Sequence, residues 1–397
     1  MVKRILLFTV VLAIITLAGL DALDYGGLLI TDLEAEGRGD NYIKGDIIFA
    51  PWLSAVFPKS ELYFAAGINA TVSKESYLAP EIFRLEYSHR LNQIFSFRVG
   101  RFSWIDPSRI TAQGRFDGAE VIFSIGQARL GVNCLYTGLL LKDTAEINVS
   151  PTDSKNYSRK FTWSDFADTY FAPRRILTAL YGEFPGFPKG RSQIYAGLMA
   201  QFDVSGADEA FHTQYLLGRY VFTYKALDLD AALAFELENT KSEGVKPALA
   251  LSFEAGWLLP GKLRDRLALG FVWASGKGAT GAFFPVSTTP AGFVLKPKLS
   301  AVMDIRLDYH VHLIKSLSVD FEAHYFWRTD AVSFSAPFIT NSNYSLGMEI
   351  NAGALWVPVS DLAVTLNAGL FIPQTGNAWS GDAKVFWRMI LGATFSF

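Results

Sequence analysis

The chain has 397 residues, of which 50% are hydrophobic, 14% aromatic and only 19% charged, with a formal net charge of -2. Its Lys and Arg residues are scattered, so there is no basic footprint for a nucleic acid partner, and a single cysteine, Cys134, excludes an intramolecular disulfide framework. Beyond the amino-terminal segment no run of ~18 apolar residues could form a membrane-crossing helix, so the apolar surplus must lie in a shorter period.

Residues 1–22 read as a cleaved signal peptide: Lys3 and Arg4, an apolar run from Ile5 to about Ala18, then small residues from Gly19 to Ala22. Cleavage after Ala22 fits, with Ala18 as the alternative. The apolar core is too short for the ~20 residues of a spanning helix, which argues against an uncleaved anchor. Residues 23–397 are then one domain. Period-2 segments bounded by turn residues occur at 25–35, 42–57, 60–73, 82–91, 94–104, 116–125, 127–140, 174–184 and 192–203. They continue at 211–224, 227–238, 247–258, 265–275, 299–311, 317–328, 343–356, 361–372 and 384–397. Each is about the length a tilted membrane strand needs.

The connections alternate. Short turns occur at places such as Pro58-Lys59, Asn92-Gln93 and Lys225-Ala226, whereas the longer segments 105–115, 141–173, 276–298, 329–342 and 373–383 all follow odd-numbered strands. Short turns at one end and long loops at the other predict an all-β, transmembrane, antiparallel up-and-down β-barrel of about eighteen strands, sixteen being the alternative. An even number puts both chain ends on the periplasmic side.

Charges follow the alternation. In 299–313, Leu299, Ala301, Met303, Ile305 and Leu307 are predicted to face lipid, with Asp304, Arg306, Asp308, His310 and His312 inside; in 317–328, Asp320, Glu322 and His324 face inward. Asp228, Asp230 and Glu236 share the polar face of 227–238, and Arg84, Glu86 and Arg90 that of 82–91. An Arg or Lys on the lipid face near the midplane costs ~2–4 kcal/mol, so these faces are wet or paired. Two readings follow: a water-filled channel with a charged lining, or acids and bases paired across strands, for example Arg306 with Glu322 and Asp304 with His324. Both can hold, because about eighteen strands enclose more space than side chains fill. Small polar-face residues, including Gly67, Gly131, Gly270, Gly353 and Gly392, widen it further. Loop 141–173 mixes charge with Tyr157, Phe161, Trp163, Tyr170 and Phe171, and is read either as an inward constriction or as part of an ordered surface.

Two resemblances rest on particular residues. The final strand, from Val385 to Phe397, alternates between an oily face and Arg388, Gly392, Thr394 and Ser396, and ends on Phe397. It resembles the carboxy-terminal assembly signal of Gram-negative outer-membrane β-barrel proteins, which implies the barrel-assembly machinery and outer-membrane lipids as partners and the outer membrane as location. The stretch Arg98-Val99-Gly100-Arg101, Asp106-Pro107 and Gln113-Gly114-Arg115-Phe116-Asp117-Gly118, followed by Tyr136-Thr137-Gly138-Leu139, is similar to the alginate-export and related substrate-specific porin families. That resemblance implies an eighteen-stranded monomeric channel. Those channels are markedly basic inside, whereas this lining mixes signs, so the solute stays open.

The expected function is passive diffusion of small or medium hydrophilic solutes through a charge-lined lumen. The candidate lining is Arg84, Arg98, Arg101, Arg115 and Arg129 as a basic strip, Asp228, Asp230, Glu236, Asp304, Arg306, Asp308, Asp320 and Glu322 across from it, and Arg388. The alternative is a surface protein or adhesin that uses the barrel as a scaffold. No catalytic constellation, metal set or phosphate-cradling loop stands out, so no enzyme activity and no cofactor are expected.

Overall fold

The computed structural model describes residues 23–397 apart from 39, 75, 151–152, 154–156, 158, 188–189, 207–209, 243, 278–280, 288–290, 332–338 and 340–341. Residues 1–22, read above as a signal peptide, lie outside the described residues. The strands are β1 (Leu23–Gly37), β2 (Asn41–Val56), β3 (Ser60–Val72), β4 (Tyr77–Arg90), β5 (Phe95–Ile105), β6 (Gln113–Ile125), β7 (Ala128–Tyr136), β8 (Arg175–Pro185) and β9 (Ser192–Asp203). They continue as β10 (Phe211–Tyr224), β11 (Leu227–Thr240), β12 (Gly244–Leu258), β13 (Arg266–Ala274), β14 (Val302–Ile314), β15 (Leu317–Arg328), β16 (Ser345–Val359), β17 (Leu362–Pro373) and β18 (Phe386–Ser396).

Each strand pairs antiparallel with the next, and β18 returns to β1 from Leu28↔Ser396 to Gly37↔Trp387, so the eighteen-stranded sheet is a closed barrel. Closure removes the sheet edges that would otherwise leave backbone N–H and C=O groups unpaired in hydrocarbon. Phe397 completes the seam: it exchanges backbone hydrogen bonds with Gly27 at 2.9 and 3.1 Å. Alternation then sorts the residues. Leu33, Ile47, Phe64, Leu198, Leu233, Ile305, Phe321, Leu366 and Leu391 are all exposed on the outer face, while Asp32, Glu34, Asp46, Arg98, Glu120, Asp228 and Arg306 are directed inward.

Among the strands whose bounds differ from expectation, β7 ends at Tyr136 rather than 140, and two others differ for clear local reasons. β4 starts at Tyr77 rather than 82, because a bulge opposite Ala65 and Ala66 shifts the pairing and breaks the period-2 pattern there. β14 starts at Val302 rather than 299. Ala301 has φ +53°, which ends strand geometry, and Leu299 and Ala301, expected on the lipid face, are buried inside the barrel at 6% and 0% exposure.

The loop end is built inward. β4 and β5 pair only between Leu85–Arg90 and Ser96–Arg101; beyond that point the β5–β6 hairpin leaves the wall and its tip, 106–112, enters the barrel. The described parts of the β13–β14 connection, 275–277, 281–287 and 291–301, lie in the interior as a strap. Their apolar residues, among them Phe102, Ile110, Phe283, Val286, Val294 and Leu295, form a core with small inward residues of the wall such as Ala232, Ala234, Ala248, Ala250 and Ala274. The alanines matter because a strap can lie against a wall only where wall side chains are short.

Candidate functional site

The strap is held at both sides of the barrel. On one side Phe284 donates its backbone N–H to Glu236 Oε2 at 2.7 Å, and Tyr215 Oη donates to the Phe284 carbonyl at 2.6 Å. In the middle Asn148 of the β7–β8 loop donates through N and Nδ2 to the carbonyls of Val286 and Pro285, and Ser287 exchanges bonds with Thr111 and Gln113 of the hairpin tip. On the far side one carboxylate collects three consecutive backbone amides. Glu349 of β16, fully buried, accepts from Phe293 N (2.5 Å), Val294 N (3.0 Å) and Leu295 N (2.7 Å), and from Asn351 Nδ2 at 2.9 Å. Arg388 donates to the Phe293 carbonyl at 3.0 Å and lies over the Phe293 ring, while Arg38 donates to the Val294 carbonyl.

Loop 141–173, read two ways above, divides its work. Ile147 and Asn148 reach the strap, whereas Phe161, Trp163, Phe166, Tyr170 and Phe171 pack on the first residues of β4, where Tyr170 Oη donates to the Pro80 carbonyl at 2.7 Å. This aromatic cluster closes the wall where β4 and β5 part. The segment held at both sides of the interior is instead the strap. Its signal in the sequence was a pair of apolar runs, Phe283 to Val286 and Phe293 to Leu295, inside a supposed outer loop.

Four of the five arginines of the expected basic strip are paired. Arg84 pairs with Glu86 at 2.7 Å, Arg98 with Glu120 at 2.6 Å, Arg101 with Asp117 through both Nε and Nη2 at 2.8 Å, and Arg115 with Glu81 at 2.8 Å. Arg101 also donates to the Ile82 and Leu139 carbonyls, so it seals the gap between β4 and the hairpin. Arg129 is exposed, with no ion pair among the described residues. It lines a vestibule of about 700 Å³ at the turn end, together with Glu61, Arg90, Arg98, Glu120 and Glu183.

The acidic wall is likewise matched. Arg219 pairs with Asp230, and Arg266 binds Asp228 at 2.6 Å and Glu254 at 2.7 Å. Arg306 joins Glu254 and Asp308, and Arg388 binds Glu34 at 2.6 Å. Arg219, Arg266 and Glu254 were absent from the sequence reading, since the partners lie one or two strands apart. Glycine makes the longer reach possible: a Cβ on Gly256 would sit 2.1 Å from the Arg266 guanidinium, and one on Gly270 would sit 2.7 Å from the Arg306 side chain. These glycines therefore let long side chains lie flat along the wall rather than simply widening it.

Of the proposed wall pairs, Asp304 and His324 meet at 3.0 Å, but Arg306 turns to Glu254 and Asp308 rather than Glu322, whose ion-pair partner is His324 at 3.4 Å. Three members of the candidate lining are buried: Glu236 is covered by the strap at Phe284, Asp304 is 1% exposed, and Arg101 is 6% exposed. Asp320 lies across Gly353. His310 and His312 are neighbours with ring centroids 4.9 Å apart, and no group of three or more metal-ligating side chains occurs among the described residues.

The hairpin tip gives Asp106, quoted above only within the Asp106-Pro107 stretch, a role that the sequence reading did not assign. Asp106, 1% exposed, accepts from the backbone N–H groups of Ser108, Arg109, Thr111 and Ala112 and from the Ser108 hydroxyl. Burial pushes its carboxyl up, and the five donors oppose that rise. This knot presents Arg109, at φ +61°, to a space of about 250 Å³ beside Arg219, Asp230, Glu254 and Arg306. Arg109 is exposed and forms no ion pair among the described residues.

Lys296, in the strap, has its pKa lowered by burial and by repulsion from Arg388, against attraction from Glu34 and Glu36. Its charge should therefore be lost at a lower pH than that of an ordinary lysine. Because the unfolded chain holds this proton more tightly, folding stability from this group rises with pH between the lowered value and 10.5. Raising the pH through that window is expected to shift ion selectivity toward cations, and Lys296→Gln to abolish that shift; reversal potentials across a pH series check it.

No protein-family model matches the chain, and no curated protein matches it in sequence. Solved structures do match. OprD from Pseudomonas aeruginosa superposes with TM-score 0.63 over 95% of this chain and 94% of its own, at 11% identity. OccK2 (OpdF) from the same organism gives 0.62 over 95% and 98% at 11% identity, and OccK11 (OpdR) gives 0.60 over 95% and 96% at 13%. The chain has the fold of these outer-membrane barrels. OccK2 has also been solved in complex with glucuronate. At such identity the likeness covers the whole architecture but says nothing of individual lining residues.

Proposed function

We propose that the protein is an outer-membrane channel for passive diffusion of small hydrophilic solutes, monomeric, exported by the 1–22 signal and inserted by the barrel-assembly machinery through β18 and Phe397. The observation that carries this reading is the interior: a charged vestibule of about 700 Å³ leads toward a strap and a hairpin tip that narrow the barrel. A barrel serving only to display loops has no need of a hydrated, charge-lined interior. OccK2, which shares this fold, has been solved in complex with glucuronate, a small hydrophilic molecule. Most lining charges are paired; Arg129 without an ion pair faces Glu61 and Glu183 in the vestibule, so the bias toward anions falls chiefly to Arg109 at the hairpin tip.

The test is conductance of the refolded protein in a planar bilayer, with reversal potentials under a salt gradient. Stable ohmic steps are expected. A unit charge about 5 Å from an ion in water is worth about 0.8 kcal/mol, so Arg109→Glu, a change of two units that acts with opposite sign on cations and anions, shifts their relative energy by about 3 kcal/mol and is expected to raise the cation-to-anion permeability ratio by up to roughly a hundredfold at low salt. A barrel that folds but never conducts sinks the channel reading and favours the scaffold.

A further inference from the structure

The outer face of the wall near the loop end carries a feature that diffusion through the lumen does not use. Strand pairing sets Tyr136, Ile176 and Phe202 in one row across β7, β8 and β9, and Phe202 meets the His212 ring of β10 at 6.0 Å between centroids. Two residues further along each strand the row is Cys134, Thr178, Ala200 and Gln214, and the row after that includes Leu180, Leu198 and Leu216. These leucines are more than half exposed, so by alternation all three rows face lipid. The smaller side chains of the middle row leave a furrow between the aromatic row and the leucine ridge. It holds a cavity of about 580 Å³, lined by Thr178, Leu180, Leu198, Ala200 and Gln214 among others. Across the ridge a second cavity, of about 660 Å³, opens over Ala196, Gly218 and Ala231.

Chemistry at the furrow's upper side narrows its occupant. Gln214 and Thr178 turn an amide and a hydroxyl toward hydrocarbon, and neither side chain has a hydrogen bond among the described residues. Unpaired polar groups are costly there, so a partner must come from the lipid side. Aromatic girdles mark the membrane–water interface, which puts Gln214 and Thr178, one row beneath, at the depth where acyl chains join a headgroup. Above the girdle stands a cation. Arg174 accepts the Val204 N–H through its carbonyl at 3.1 Å, and a Cβ on Gly138 would meet Tyr136 Oη at 2.3 Å and Arg174 Cγ at 2.9 Å, so the arginine leaves the wall beside the tyrosine. It is exposed and forms no ion pair among the described residues. A matching lipid has an anionic group above the girdle, both donors and acceptors at the acyl joint, and more than one chain. A phosphorylated glycolipid with amide-linked hydroxyacyl chains, the lipid A of lipopolysaccharide, has all of these. A glycerophospholipid offers ester carbonyls at the joint and no donor, so it satisfies only half of the Gln214 amide.

We propose that the outer face of β7–β10 is a binding site for a lipid A-type glycolipid, with a phosphate at Arg174, the acyl joint at Gln214 and Thr178, and chains in the two furrows. The site rests on an outer-membrane location with the loops outward and not on conduction. The test is native mass spectrometry of the barrel refolded in detergent, with bisphosphorylated lipid A, its dephosphorylated form and phosphatidylglycerol as probes. Bisphosphorylated lipid A is expected to bind most tightly. A charge-assisted phosphate contact predicts a loss of lipid A affinity of at least about fivefold in Arg174→Gln, with Arg174→Lys retaining most of it and the dephosphorylated form insensitive to both. Ala200→Phe fills the furrow and is expected to weaken both forms of lipid A. Heat-modifiable migration on gels confirms that each variant is folded. Phosphatidylglycerol binding as tightly as lipid A, a wild-type barrel that holds no lipid A, or unchanged binding by folded Arg174→Gln and Ala200→Phe would each overturn the site. Conductance in bilayers of phospholipid alone separates this result from the channel reading: a barrel that conducts but binds no lipid A keeps the channel and loses the site, and one that binds lipid A without conducting does the reverse.

Discussion

Replacing Glu349 with alanine is expected to raise single-channel conductance while the barrel itself stays folded. The carboxylate accepts three adjacent amides of the strap from a fully buried position. Removing it leaves three donors without an acceptor, at about 1–3 kcal/mol each. A loss of roughly 3–9 kcal/mol exceeds what a single internal loop is likewise able to recover from Arg38 and Arg388, which bind only its carbonyls. The strap then leaves the β16–β18 side. Glu349→Gln keeps the shape and part of the hydrogen bonding, so its conductance should fall between the two. Protease accessibility near Phe293 and bilayer recordings check the effect; an alanine variant with unchanged conductance and an uncut strap would show that Glu349 does not hold the constriction.

Arg175→Met is expected to be the most damaging change at the loop end. The Arg175 guanidinium, with 0% exposure, bridges Asp153 of the β7–β8 loop and Asp203 at the end of β9, and also donates to Ser150 Oγ at 3.0 Å. Removing one partner of a buried ion pair typically costs about 3–5 kcal/mol, because the remaining charges stay uncompensated. The segment from Asn148 to Asp153 loses its anchor, and with it goes the Asn148 contact to Val286 of the strap. Denaturant unfolding of the refolded barrel and proteolysis of the loop measure the cost. The double variant Arg175→Met with Asp153→Asn should recover part of it, since one stranded carboxylate is then gone.

The barrel was legible because its lipid face obeys a period of two over every strand, and because loop lengths alternate with strand parity. Where the sequence reading slipped, local chemistry broke that period: the bulge beside Ala65 hid the first turns of β4, and the positive φ of Ala301 ended what looked like a longer β14. The site was less legible. Inward charges such as Asp228, Arg306 and Arg388 could be identified by face, but their partners depend on register and on reach across glycine. Glu254 and Arg266 are two strands from some of the groups they bind. The strap escaped altogether, because an apolar run in a loop carries no period, and Arg109 depends on a turn that only Asp106 and its five donors define.

The order in which the strap acquires its anchors has a consequence for biogenesis. Its first holdfasts, Glu236 and Tyr215, precede it in the chain, but Glu349 and Arg388 belong to β16 and β18, and Arg38 follows β1 directly. The narrowing therefore cannot be completed until the last strands have arrived and met the first, contacts that are among the most distant in sequence and slowest to form. A barrel stalled before its seam closes is consequently open-sided and has its strap tethered at one side only, so sealing the wall and fixing the final bore are one event.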